Sequence, residues 1–114
     1  MRAVEVAKRV YENRRKYFEN LEFYLNIIKQ RVKRRIPGAK LYLFGSTVEG
    51  KIHPLSDIDI AIVSDSVPER VKDIAKLKLE VLENFEVSPF ELHVLNEREW
   101  EFYRRFIKKF KEIL

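Results

Sequence analysis

Two aspartates one residue apart, Asp57 and Asp59, interrupt a run that is otherwise apolar through Ile58, Ile60, Ala61, Ile62 and Val63. If that run is a strand, residues two apart face the same way, with Cα atoms roughly 6–7 Å apart. Carboxylates placed so can share hard divalent cations that stand about 3.5–4 Å from each other, the arrangement used in two-metal phosphoryl transfer. Mg²⁺ suits the pair, because it takes one or two carboxylates and completes its shell with phosphate oxygens and water. Without a cation, two neighbouring acids on an apolar strand repel each other and cost desolvation. A lone Asp-x-Asp at a solvated strand end carries no such meaning, so its companions decide.

The companion is Gly45-Ser46, ten residues upstream of Asp57. Glycine lets the backbone approach a bulky anion, and serine offers a hydroxyl and its N–H. A short helix starting at Ser46 or Thr47 would add N-terminal N–H groups facing the same anion. Gly50 gives the loop a second flexible point. At ordinary residue frequencies, Gly-Ser, ten residues and Asp-x-Asp arise together by chance in on the order of one chain in a thousand of this length.

The elements that must position these residues follow from periodicity. Over residues 2–36, Val4, Ala7, Val10/Tyr11, Tyr17/Phe18, Leu21, Tyr24/Leu25, Ile28, Val32 and Ile36 recur at helical spacing. The stripe lapses at Asn13-Arg14-Arg15-Lys16, where a kink or a break between two helices is expected. Pro37-Gly38 ends the segment. An unbroken helix of that length would run roughly 50 Å, so one end is expected to project toward a partner. Lys40–Phe44 reads as a strand closed by Gly45, residues 45–56 as a loop with a helical turn, and Asp57–Val63 as a strand covered on both faces. Ser66-Val67-Pro68-Glu69 and Asn96-Glu97-Arg98-Glu99 both read as helix starts with a capping pattern. Between them, Val71 to Leu82 reads as helix and Phe90–Leu95 as a third strand. A last helix is expected over 97–112, with Trp100, Tyr103, Phe106/Ile107 and Phe110 as its apolar stripe. The expected fold is α/β or α+β: a small mixed sheet of about three strands packed with helices, behind a long N-terminal helix.

Composition narrows the remaining classes. The chain has 114 residues, which makes one domain, 1–114, with a core at about 38–95. It has no cysteine, so disulfide scaffolds, Cys-ligated zinc and Cys nucleophiles are excluded. Its only histidines are His53 and His93. No apolar run reaches the roughly 18 residues of a membrane span, and the charged N-terminus is unlike a secretory signal. The expected location is the cytoplasm, with no membrane partner. The net charge of +5 is uneven: residues 1–40 carry +8, residues 41–95 carry −5 and residues 96–114 carry +2. Basic flanks can attract phosphates, nucleic acid or an acidic protein, or serve only as solvated helix faces.

With these pieces in place, the sequence resembles the minimal nucleotidyltransferases of the DNA polymerase β superfamily. The resemblance rests on Gly45-Ser46 and Asp57-Ile58-Asp59, with Ser56 before the first Asp and Gly50 four residues after the motif serine. It implies a nucleotidyltransferase fold in which Gly45-Ser46 holds nucleotide phosphates and the Asp pair binds two Mg²⁺, or Mn²⁺ in their place. The implied reaction moves a nucleoside monophosphate, AMP from ATP or its counterpart from another NTP, to an acceptor hydroxyl and releases pyrophosphate. The family adds a third carboxylate on a following strand, and the resemblance makes Glu91 the candidate for it here, where Asp is commoner; the alternative for Glu91 is a solvated strand residue. His93 shares the face of Glu91 and is a candidate to tune the site or bind substrate. Glu49 is a second departure, standing where many members carry Arg.

The small size further resembles one half of a two-gene pair. In such pairs the nucleotidyltransferase is an antitoxin and the other half is a helical HEPN-type protein, whose tyrosine receives AMP. A homo-oligomer is a further candidate state. Three alternatives stand beside this reading: a catalytically weak or inactive partner-binding module on the same fold, a nucleic-acid binder using the basic N-terminal helix, and an enzyme acting on a small-molecule acceptor. Nucleic acid is the less favoured partner.

Overall fold

The computed structural model describes residues 2–51 and 53–114. The N-terminal segment forms two helices, α1 (Ala3–Glu19) and α2 (Leu21–Arg35), rather than one. The break falls at Asn20, not at the polar run 13–16. Asn20 leaves helical geometry with φ −120° and ψ 38°, and its side-chain amide donates to Lys16 O. Residues 13–16 stay helical because their side chains find partners outward: Arg15 pairs with Glu19 one turn on, and Arg14 reaches the loop ahead of the second strand. From Arg2 to Arg9 every residue is exposed, so the start of α1 does project.

Four strands follow the helices: β1 (Lys40–Phe44), β2 (Ile58–Val63), β3 (Phe90–Leu95) and β4 (Phe110–Glu112). The sheet order is β3-β2-β1-β4, with β2 parallel to β3 and the other pairs antiparallel. The parallel pair needs a crossover, which α3 (Val71–Val81) supplies. The central strand β2 is paired on both edges and buries Ile58, Ile60, Ala61, Ile62 and Val63.

Two expectations for helices are corrected. Ser66 caps nothing, and α3 begins five residues later at Val71. Ser66 N donates to Ser64 Oγ, and Val67 N donates to Ser64 O, so the segment leaves β2 in a turn instead of a helix. The expected helix over 97–112 is also shorter. α4 spans Glu97–Tyr103, a 3₁₀ turn follows at Arg104–Phe106, and the chain then extends to pair with β1. This pairing makes a fourth strand where three were expected. It covers an edge of β1 whose N–H and C=O groups would otherwise lie open. The capping pattern at Asn96 does form: Asn96 Oδ1 accepts from Glu99 N, and Glu99 Oε1 accepts from Asn96 N.

The sheet has two differently covered faces. On one, Leu25, Ile28 and Val32 of α2 and Leu77 and Val81 of α3 pack against Leu41, Leu43, Ile58, Ile60 and Ile62. Tyr17 of α1 joins this core, and its hydroxyl donates to Glu86 O at 2.7 Å. On the other face, Trp100 of α4 packs with Phe44, Ala61 and Val63, and Tyr42 stacks on its ring at 4.7 Å. Because α4 is short, it covers only part of this second face. Among the described residues, no helix is long and apolar enough to cross a membrane.

Candidate active site

The uncovered part of the second face carries the acids. Strand alternation puts Asp59 on the side of Ala61 and Val63, and the parallel register sets Glu91 of β3 directly opposite Asp59. Asp57 precedes the first residue of β2, at the strand mouth. Its side chain is 60% exposed, whereas that of Asp59 is 23% exposed. Glu91 is exposed. The register therefore brings Asp59 and Glu91 together from two strands, with Asp57 two residues upstream on the same chain.

His93 completes the group. Its Nε2 lies 3.1 Å from Asp59 Oδ1, and its ring packs against those of Phe44 and Tyr103, with centroids 5.1 and 6.0 Å away; those two rings also meet each other at 5.8 Å. One donor atom each from Asp59, Glu91 and His93 falls within 4.8 Å of the others. Such a set of two carboxylates and one imidazole is chemically able to hold a divalent ion.

The glycine motif meets these acids through β1. Phe44 pairs with Asp59 across the antiparallel ladder, so Gly45 emerges beside that carboxylate. Gly45 has φ +82°, and a Cβ placed there would stand 2.5 Å from Asp59 Oδ2. Only glycine leaves that oxygen its space. The loop then closes a single turn, in which Gly45 O accepts from Val48 N and Glu49 N, both at 3.1 Å, and Ser46 O accepts from Lys51 N at 2.8 Å. The expected helical turn is thus a turn of α type, and no helix starts at Ser46 or Thr47. The expected loop 45–56 includes Ile52, which lies outside the described residues. Glu49 is half-buried in this turn.

Arg14 joins this site, a residue that motif spacing alone does not single out. From α1 its guanidinium donates to Leu55 O (3.3 Å), Ser56 O (2.9 Å) and Asp57 Oδ1 (3.2 Å). The side chain is only 12% exposed, and Nε is buried without a hydrogen-bond partner among the described residues. One turn earlier, Tyr11 meets the His53 ring edge-on at 6.3 Å. The lapse in the apolar stripe at 13–16 was the available signal, and it marks where α1 crosses the loop leading into β2. Each Asp thus has one oxygen held by another element: Asp57 Oδ1 by α1, Asp59 Oδ1 by β3.

Comparison with known proteins agrees with this geometry. The sequence profile of the nucleotidyltransferase domain matches residues 25–113. A crystal structure of a presumed nucleotidyltransferase is 41% identical with a TM-score of 0.63, the match covering 75% of this chain and 91% of the other. A second, from Sulfolobus solfataricus and also of a presumed nucleotidyltransferase, shares the fold at 22% identity and a TM-score of 0.55, covering 90% of this chain and 84% of the other. No curated protein sequence matches the chain. The mixed sheet, the close approach of Gly45 to Asp59, and the profile match over most of the chain agree: it belongs to the nucleotidyltransferase domain family.

Proposed function

We propose that the chain transfers a nucleoside monophosphate, AMP from ATP in the first instance, to an acceptor hydroxyl with release of pyrophosphate. The observation that carries this reading is the strand register that sets Glu91 beside Asp59 while Gly45 turns beneath the same carboxylate. The donor chemistry fits a divalent metal: Asp59 and Glu91 offer oxygens within 4.8 Å of each other. Asp57 would add a carboxylate from the strand mouth, where Arg14 now engages it. All three suit Mg²⁺ or Mn²⁺, and the missing Cβ of Gly45 preserves room at Asp59 Oδ2. Two such ions, when bound, would neutralise phosphate charge and make the acceptor hydroxyl easier to deprotonate.

The chain's own groups have distinct tasks. Gly45 and Ser46 present backbone and hydroxyl to the triphosphate. Asp57, at the mouth of β2, and Asp59, within it, would hold the divalent ions through which the triphosphate is positioned. Glu91, exposed beside Asp59, takes the proton from the acceptor hydroxyl. The acceptor oxygen forms a bond to the α-phosphorus, the bond from that phosphorus to the bridging oxygen breaks, and pyrophosphate leaves with the electron pair. Arg14 positions Asp57 by tying it to the carbonyls of residues 55 and 56.

The acceptor in this reading is a hydroxyl on a HEPN-type partner protein, with the chain as antitoxin. The projecting start of α1, with Val4 and Val6 exposed, offers surface for such a partner. The test is to incubate the protein with α-phosphate-labelled ATP, Mg²⁺ and host extract, beside the Asp57→Asn/Asp59→Asn double variant. A labelled protein seen only with the intact pair supports the reading, and its mass gives the acceptor's size. A second reading, a partner-binding module without transfer, draws on Glu49 beside the phosphate loop and on the Arg14 ion pair that engages Asp57. ATP binding that depends on metal, with no labelled product, would favour it.

A further inference from the structure

His93 is not needed by the transfer scheme above, yet its ring nitrogen touches the central carboxylate. The parallel register places Ala61 opposite His93, and that small residue leaves the imidazole room on the face that Asp59 and Glu91 share. The rings of Phe44 and Tyr103, in contact with each other, pack against the imidazole and limit its orientations. The side chains of His93 and Asp59 are each 23% exposed, so the nitrogen is sheltered but reachable. Two donors at right angles around an ion with bonds of about 2.1 Å stand about 3.0 Å apart. His93 Nε2 and Asp59 Oδ1 are 3.1 Å apart, and a donor atom of Glu91 lies within 4.8 Å of both.

We propose that His93 is a metal ligand, completing with Asp59 and Glu91 a site of mixed nitrogen and oxygen donors that prefers a first-row transition ion to Mg²⁺. This rests on the reading that these carboxylates hold divalent cations. Mg²⁺ binds oxygen almost to the exclusion of other donors, whereas imidazole suits the transition ions. Among the described residues, no histidine pairs with Asp57, whose one charged partner is Arg14, so the two ends of the site differ in selectivity. A histidine that only oriented Asp59 by a hydrogen bond would change the affinity of every ion alike. A histidine that ligates changes the selectivity itself.

The test needs neither nucleotide nor acceptor. Co²⁺ is titrated into the intact protein and followed by its visible absorption, and Mg²⁺ is titrated by calorimetry, for the wild type, His93→Asn, His93→Gln and Asp59→Asn, each checked for fold by circular dichroism. The wild type is expected to bind Co²⁺ more tightly than Mg²⁺, with a spectrum showing nitrogen ligation. Both His93 variants are expected to lose at least about tenfold in Co²⁺ affinity and shift to an all-oxygen spectrum, while Mg²⁺ binding stays within about threefold. Asp59→Asn is expected to lose both ions. Unchanged Co²⁺ binding in both His93 variants, or a parallel loss of Co²⁺ and Mg²⁺, overturns the ligand assignment while leaving the carboxylates in place. Absence of any divalent binding by the wild type overturns the carboxylate reading and this inference with it.

Discussion

A Cβ on Gly45 would stand 2.5 Å from Oδ2 of Asp59 and 3.4 Å from its Cγ. The glycine that follows β1 and the acid near the start of β2 are therefore a single fitted pair, formed by the antiparallel register that sets Phe44 opposite Asp59. Gly45→Ala is expected to displace the Asp59 carboxylate and abolish divalent binding, besides costing about 1–2 kcal/mol for a non-glycine residue at positive φ. Gly50 makes the comparison clean, because it has φ +80° with nothing within 4 Å of its Cβ position. Gly50→Ala is expected to show a similar loss of stability in urea unfolding but to retain metal binding. Equal metal affinity in both variants would contradict the pairing.

Arg14 is expected to act through Asp57. Arg14→Ala should weaken divalent binding and transfer roughly tenfold, by releasing a carboxylate that the guanidinium holds against the chain. Arg14→Lys should recover only part of this, since one ammonium cannot reproduce the fork that spans two carbonyls and a carboxylate. The check is metal titration alongside steady-state kinetics. A rise in metal affinity in Arg14→Ala would instead mark the guanidinium as a competitor for the cation site.

Tyr17 ties α1 to the rest of the core. Burial pushes its phenol above the ordinary value, with smaller contributions from Tyr24 and Glu86. A phenol whose folded pKa exceeds its unfolded value, about 10, contributes stability that is intact below that value and is lost as pH climbs through the folded pKa. Tyr17→Phe removes the bond to Glu86 O and is expected to cost about 1 kcal/mol at neutral pH. The gap between wild type and variant should close above pH ~10. Urea unfolding at a series of pH values measures this, and a gap that is constant with pH would contradict it.

How far these features could be read in advance depends on how local their causes are. Strands β1 and β3 were legible to the residue, because short apolar runs bounded by Gly45 and by Asn96 leave little choice. The same capping pattern occurs in the sequence at Asn96 and at Ser66, and it forms only at Asn96. At Ser66 the Ser64 hydroxyl takes the N–H and holds the chain in a turn, an event set by where β2 ends. Phe110 fits a helical stripe by spacing alone, yet it pairs with Phe44 because the edge of β1 needs a partner that only the folded sheet reveals. The Asp pair and Gly45-Ser46 could be read from spacing. Glu91 needed a family resemblance, and the parallel register places it opposite Asp59. Arg14 reaches its partners across more than 40 residues of chain, which no periodicity encodes.

The central claim is that this carboxylate face moves a nucleotidyl group. The most direct measurement supplies ATP labelled at either the α- or the γ-phosphate, with Mg²⁺ and host extract, to the wild type and to Asp59→Asn. Nucleotidyl transfer predicts that the acceptor keeps α-label, that γ-label appears in pyrophosphate, and that Asp59→Asn does neither. Acceptor labelled from the γ-phosphate, or α-label transfer undiminished in Asp59→Asn, would contradict it.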